Sequence, residues 1–245
     1  MDFKKIWDIF TDRYSFLPIH PQYYIKSYTN NSVNLALKYA KGTLVDIGCG
    51  RMPYRGKFMS KVKKYIGVDN PDTAKYYHGE LKPDIYADAV KIPLQSNSCD
   101  TVLLLQVLEH LPETEKSLKE AGRLLKKGGH LILSTIQSYP LHDEPYDYYR
   151  YTKYGIEHLL TNNNLKVIET KEEGNVFVVC FQSINIYLML TLKKLIKKRV
   201  GTLFIFLVAP VFFILTFLSN IITYPFTFFD KKSSFRIIVT SVAKK

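Results

Sequence analysis

Short apolar runs alternate with stretches of helical spacing through most of the chain. Thr43-Leu-Val-Asp-Ile47 predicts a buried strand ending at Gly48-Cys-Gly50, and Lys64-Tyr-Ile-Gly-Val68 a second ending at Asp69. Asp84-Ile-Tyr-Ala87 predicts a third strand ending at Asp88, and Thr101-Val-Leu-Leu-Leu105 a fourth ending at Gln106. Between Pro112 and Leu125 the residues Leu118, Ala121, Leu124 and Leu125 share one face, which predicts a helix. Lys127-Gly-Gly129 then turns the chain into a fifth strand, His130-Leu-Ile-Leu-Ser134. A helix over Tyr151 to Leu160 and a sixth strand over Leu165 to Glu169 follow. Upstream, Met1 to Lys41 reads as helical and polar-aromatic, broken at Pro18 and Pro21, with Gly42 as a cap. Strands separated by helices imply an α/β fold, a doubly wound, mostly parallel sheet. Such sheets bind ligands at the carboxyl ends of their strands, where Gly48, Asp69, Asp88 and Gln106 fall.

The pattern changes after Glu173. Val176 to Leu192 is apolar with helical character, and the basic cluster Lys193, Lys194, Lys197, Lys198 and Arg199 follows. Thr202 to Phe229 is almost wholly apolar, interrupted by Pro210 and Pro225 and closed by Lys231 and Lys232. Phe235 to Ala243 reads as a last buried strand, rich in β-branched residues. Four segments result: a helical cap over 1–41, a core over 42–175, an apolar, basic-flanked insert over 176–232 and a final core strand over 233–245.

Composition sharpens this picture in two places. The chain of 245 residues suffices for one α/β domain with a full core. Of the net charge of +12, Leu190 to Lys245 carries +9, ten Lys and Arg against the single acid Asp230. Basic residues beside a long apolar run point to a membrane surface with anionic lipid, and away from nucleic acid. Cys49, Cys99 and Cys180 are scattered and odd in number, which fits a reducing compartment. No metal-ligand spacing stands out, and MDFKKIWDIF lacks the pattern of a signal peptide.

The chemistry gathers at the strand ends. Glycines at 48 and 50 let the backbone turn tightly and approach a ligand. Asp69 lies about 20 residues further on, the spacing at which a carboxylate meets ribose hydroxyls. A dinucleotide fingerprint requires a third glycine where this chain has Pro53.

Val45-Asp-Ile-Gly-Cys-Gly-Arg-Met-Pro-Tyr54 resembles the first motif of class I S-adenosylmethionine methyltransferases, in the type 11 group that includes quinone-biosynthesis enzymes. Tyr65-Ile-Gly-Val-Asp69, Ala87-Asp-Ala89 with Ile92-Pro-Leu94, Cys99-Asp-Thr-Val102 leading to Gln106-Val-Leu-Glu-His110, and Glu120 to Gly129 match in order. Lys127 departs from the proline usual there. The resemblance spans Leu44 to Leu160. It implies a Rossmann-like sheet whose last strand is antiparallel and S-adenosyl-L-methionine as cofactor. By that resemblance Asp46, Gly48 and Gly50 cradle its methionine part, Asp69 takes the ribose, Asp88 and Ala89 flank adenine, and Gln106 lines the pocket near the sulfonium. A carboxylate suits a cationic cofactor.

Methyl transfer needs an aligned acceptor and, for a hydroxyl of high pKa, a base. Two strand-end loops offer candidates: Glu109-His110, and Pro140 to Thr152 with His142, Asp143 and Asp147. His110, His142 and Asp143 are the catalytic candidates. Tyr148, Tyr149 and Arg150 are candidates for binding the acceptor, Arg150 through a phosphate or carboxylate. The second loop resembles one in type 11 methyltransferases found among surface-polysaccharide and lipid-linked-sugar genes. That resemblance, with the membrane signal, implies O-methylation of a sugar, lipid-linked glycan or isoprenoid-type acceptor. The competing readings are a nicotinamide-dependent oxidoreductase or epimerase, for which Tyr149 and Lys153 supply a spacing in the wrong place, and a non-catalytic membrane adaptor. By the same resemblance Phe235 to Ala243 is the antiparallel last strand beside the sixth, so the apolar insert separates two strands of one sheet and is expected to leave and return on one side. A double crossing would translocate five basic residues. A monotopic or re-entrant hairpin on the cytoplasmic side of a membrane is the expectation, with Pro210 as its bend.

Overall fold

Strands with apolar residues on both faces must be covered on both sides, and the sheet obeys this. The computed structural model describes residues 17–74, 82–197, 202–229 and 234–245. They form a seven-stranded sheet: β1 (Thr43–Ile47), β2 (Lys64–Asp69), β3 (Ile85–Tyr86), β4 (Cys99–Leu105), β5 (Leu125–Ile136), β6 (Lys166–Glu173) and β7 (Ile238–Lys244). Its spatial order is β3-β2-β1-β4-β5-β7-β6. Pairs β1–β2, β1–β4, β2–β3 and β4–β5 are parallel, and β7 runs antiparallel to β5 from Ile136↔Ile238 to His130↔Lys244. The order reverses between β1 and β4, which opens a crevice at their carboxyl ends.

Period-two alternation sends neighbouring side chains into two cores. Val45, Ile47, Val102, Leu104, Leu131 and Leu133 face one, with Leu118, Ala121 and Leu124 of the helix Thr114–Leu124 and Ile156 and Leu160 of the helix Lys153–Asn162. Leu44, Leu103, Ile132 and Val242 face the other, with Val33, Leu35 and Ala36 of the helix Tyr23–Tyr39 and Phe58 of the short helix Arg55–Met59. In chain order these helices are α1 (Tyr23–Tyr39), α2 (Arg55–Met59), α3 (Pro71–Ala74), α4 (Thr114–Leu124) and α5 (Lys153–Asn162). Thr152 caps α5 by accepting a hydrogen bond from the Gly155 amide.

Several boundaries move from their sequence expectation. β5 starts at Leu125, before Lys127-Gly-Gly129, because Leu125 already pairs with Cys99. A register shift between Cys99 and Thr101 then absorbs the extra residues, with Gly128 at φ +79°. β6 runs to Glu173, four residues beyond expectation, and β7 starts at Ile238. Met1 to Phe16, the first part of the expected helical cap, lie outside the described residues, as do Lys198, Arg199, Lys231 and Lys232 of the basic flanks.

The chain divides into two compact units: Asn31–Gln137, Leu141–Glu172 and Ile238–Lys245 hold the sheet, while Ser138–Pro140 and Glu173–Ile237 join the N-terminal residues up to Asn30. The second unit contains α6 (Val176–Lys197) and α7 (Thr202–Phe226), which pack on each other. Its polarity is inverted. The stripe of α7 turned inward is Ala209, Phe212, Thr216, Asn220 and Thr223, whereas Val211, Ile214, Leu215, Leu218, Ile221 and Ile222 are exposed. The inward polar groups are satisfied. Asn220 Nδ2 donates to the carbonyls of Pro18 (2.6 Å) and His20 (3.0 Å), and Asn185 Nδ2 donates to Asn220 Oδ1 (3.2 Å). The Tyr24 amide donates to Gln182 Oε1 (3.1 Å), and Thr216 and Thr223 donate back to the carbonyls of Phe212 and Ser219. Pro210 and Pro225 lie within α7, which runs through Pro210 as one helix.

Candidate active site

β1 ends in the turn that the glycines make possible. Gly48 has φ +71°, and a Cβ on it would stand 2.5 Å from Val107 Cγ2, so only glycine fits. Gly50, at φ +53°, donates its amide to Asp69 Oδ2 at 2.6 Å. Asp69 Oδ1 accepts from the Asn70 amide (2.7 Å) and from Thr73 Oγ1 (3.1 Å). The carboxylate that closes β2 is thereby fixed against the turn that closes β1. Behind them Asp46 is buried and takes a hydrogen bond from the Tyr65 hydroxyl. Burial pushes its carboxyl up to about 7; the Tyr65 bond works against this and the Asp69 charge adds to it.

A cavity of about 630 Å³ opens at this edge, within the range of small-molecule sites, about 300–1,000 Å³. Gly48, Asp69, Asp88, Ala89 and Gln106 line it, as do His110, Asp143 and Tyr148. Asp46 and Gly50 do not line it; Gly50 ties the turn to Asp69, and Asp46 is buried in β1. Gln106 adopts φ +59°, with its amide on the Ser134 carbonyl (2.8 Å) and its Nε2 on Ser134 Oγ (3.0 Å). That backbone strain at a strand end is characteristic of ligand-facing positions. Sequence reasoning passed over Asn70, Thr73, Val107 and Tyr146, which also line the cavity. The spacing of Asn70 and Thr73 after Asp69 was the available signal for the first two.

The acceptor-side candidates divide. His110 ends a 3-10 turn (Leu108–His110), and its Nδ1 lies 2.7 Å from the Tyr146 carbonyl. His142 packs edge-on against the His110 ring, centroids 4.8 Å apart, with Nδ1 3.1 Å from Asp147 Oδ2. Burial holds the His142 imidazole below its ordinary pKa. His142, Tyr149 and Arg150 do not line the cavity. Tyr149 donates its hydroxyl to the Pro112 carbonyl, and Arg150 binds both oxygens of Asp147 at 2.6 and 2.7 Å. This bidentate bond holds the Asp147 carboxyl far below the usual range. Glu109 is fully buried: Oε2 accepts from Thr135 Oγ1 at 2.8 Å, and burial pushes its carboxyl up. Its backbone carbonyl accepts from the amides of Tyr148 and Tyr149, so it braces the loop after β5.

Residues 45–133 match the family described as "Methyltransferase domain", type 11. The ubiquinone biosynthesis O-methyltransferase of Pelagibacter ubique is 27% identical over 137 residues, 52% of this chain and 56% of that protein. The chain thus spans about half the length of the curated relatives it matches. A SAM-dependent methyltransferase of Archaeoglobus fulgidus superposes with a TM-score of 0.54 at 15% identity, covering 90% of this chain and 93% of that one. The [4+2]-cyclase SpnF superposes with a TM-score of 0.55 at 14% identity, covering 89% and 80%. At such identity the likeness is one of fold, and a cyclase among the neighbours shows that the fold alone does not name a reaction. The matched motifs carry the assignment: residues 45–133 form a methyltransferase domain of the type 11 kind, on a fold shared with S-adenosylmethionine-dependent methyltransferases.

Proposed function

We propose that the chain is an S-adenosylmethionine-dependent O-methyltransferase of a sugar, lipid-linked glycan or isoprenoid-type acceptor, working on the cytoplasmic face of a membrane. The observation that carries this reading is the joining of the Gly48 turn, Asp69, Asp88, Gln106, His110 and Asp143 around one cavity. When bound, S-adenosylmethionine supplies a methyl group on a sulfonium. The protein's part is to hold and align. Asp69 offers its carboxylate to ribose hydroxyls, and Asp88 with Ala89 borders the base. Gln106 lines the cavity between them, and His110, Asp143 and Tyr148 would meet the acceptor and its proton. A quinone-biosynthesis relative supports an acceptor with an isoprenoid character.

The inverted polarity of α7 supports the membrane. A helix that buries threonine and asparagine while exposing isoleucine and leucine is suited to lipid rather than water. Val208–Phe226 is long and apolar enough to cross a bilayer, with only 22% of that window buried. The basic cluster that ends α6 and continues beyond it in sequence favours a hairpin lying in the interface over one that crosses.

Calorimetry of detergent-solubilised protein with S-adenosylmethionine and with NAD tests the cofactor. Micromolar binding of S-adenosylmethionine, lost in Asp69→Ala, is expected. Binding of NAD alone, or of neither, overturns the reading.

A further inference from the structure

Glu109, His110 and His142 come from two loops far apart in sequence, yet one ligand atom from each lies within 4.8 Å of the others. Two observations turn this proximity into a site. Glu109 Oε1 is buried with no hydrogen-bond partner among the described residues, and the Arg150 and His110 charges act on this carboxylate without an ion pair to it among those residues. A buried acceptor left in that state costs about 1–3 kcal/mol, more if ionised, so a structure that retains it has a use for it. His110 shows the second. The Tyr146 carbonyl can only accept, so Nδ1 carries the proton and donates, which leaves the lone pair on Nε2. Fixing one ring nitrogen on a carbonyl so that the other is presented is the arrangement found behind metal-binding histidines.

We propose that Glu109, His110 and His142 bind a divalent first-row transition ion of the zinc class. One carboxylate oxygen and two imidazoles form the ligand set of three-residue sites that keep an open position. Two imidazoles disfavour magnesium and calcium, which prefer oxygen. The surroundings agree. Asp147 stands 3.1 Å behind His142 and is itself clamped by Arg150, so a carboxylate backs the imidazole and the guanidinium charge is neutralised. Ion-ligand bonds of about 2.0–2.2 Å require the three groups to draw together, and the Glu109 side chain gains the partner it lacks. Of the three, His110 lines the cavity, and an ion held there would be able to lower the pKa of a hydroxyl that reached it. The ion site stands on its own residues and does not require the cavity to take S-adenosylmethionine.

The test uses the full chain in detergent on a Cys180→Ser background, which removes the exposed thiol as a competing ligand. Chelator-treated protein is titrated with Co²⁺ by visible absorption and with Zn²⁺ by competition. One equivalent per chain is expected, with affinity weakened at least about tenfold in His142→Ala and in Glu109→Gln. His142→Ala alters an outer loop, so it reports even where the buried Glu109 variant fails to fold. Absence of binding, or equal binding in folded variants, overturns the proposal. S-adenosylmethionine titration of the same samples separates this outcome from failure of the cofactor reading.

Discussion

Asp46 shows how one carboxyl links the site to stability. Folded, it ionises near 7; the free side chain does so near 3.8. Between these values the folded state holds the extra proton, so this residue's contribution falls as pH rises from about 4 to about 7. Asp46→Asn cannot ionise and still accepts from Tyr65. Thermal melts at pH 5 and pH 8 should therefore differ less for the variant than for the parent. An unchanged difference would assign the pH dependence to another group. The residues around Asp46 were legible because their chemistry is local: a glycine turn and an acid at the end of the next strand. His142 was legible only as a candidate. Its relation to Asp147 and to the Glu109 carboxylate depends on how two loops fold over the strand ends, and no spacing along the chain encodes that. Arg150 illustrates the reverse case, since an arginine reserved by sequence for an acceptor is held by Asp147 three residues away.

At the scale of elements, the strands were readable from their apolar runs, and their limits were not. The start of β5 is set by a partner, Cys99, and by a register shift that only pairing reveals. The direction of α7 was hidden by its composition, since nearly every position is apolar. The signal was the spacing of the exceptions: Thr216, Asn220 and Thr223 recur at four and three residues and mark the inward face. Asn220→Leu should therefore lower stability although it adds an apolar group to an apolar helix. It strips the Pro18 carbonyl of its donor and Asn185 Nδ2 of its acceptor, at about 1–3 kcal/mol for each buried group left unpaired, while the His20 carbonyl keeps the Tyr23 amide. Leu218→Ala, on the exposed face, should leave the melting temperature in detergent nearly unchanged. A melt in which the two variants behave alike would count against the inverted packing.

For the whole molecule, charge and apolar surface predict one behaviour together. The segment from Leu190 onward carries +9, and α7 exposes its aliphatic face. Flotation with phosphatidylserine-containing vesicles should exceed flotation with neutral ones. Raising salt to about 1 M, where screening acts within roughly 3 Å, should reduce it without abolishing it, because apolar burial persists. Vesicles that leave the protein behind at low salt would remove the membrane from the proposal. The place of β7 has a further consequence, in time. Its slot lies between β5 and β6, but the ribosome delivers it only after the whole apolar hairpin. Throughout that interval β5 presents an unpaired edge next to nascent greasy helices, the combination most prone to mispairing between chains. Under the proposed membrane reading, early capture of α6 and α7 by lipid would take one of the two hazards away, so that lipid would act first as a folding aid.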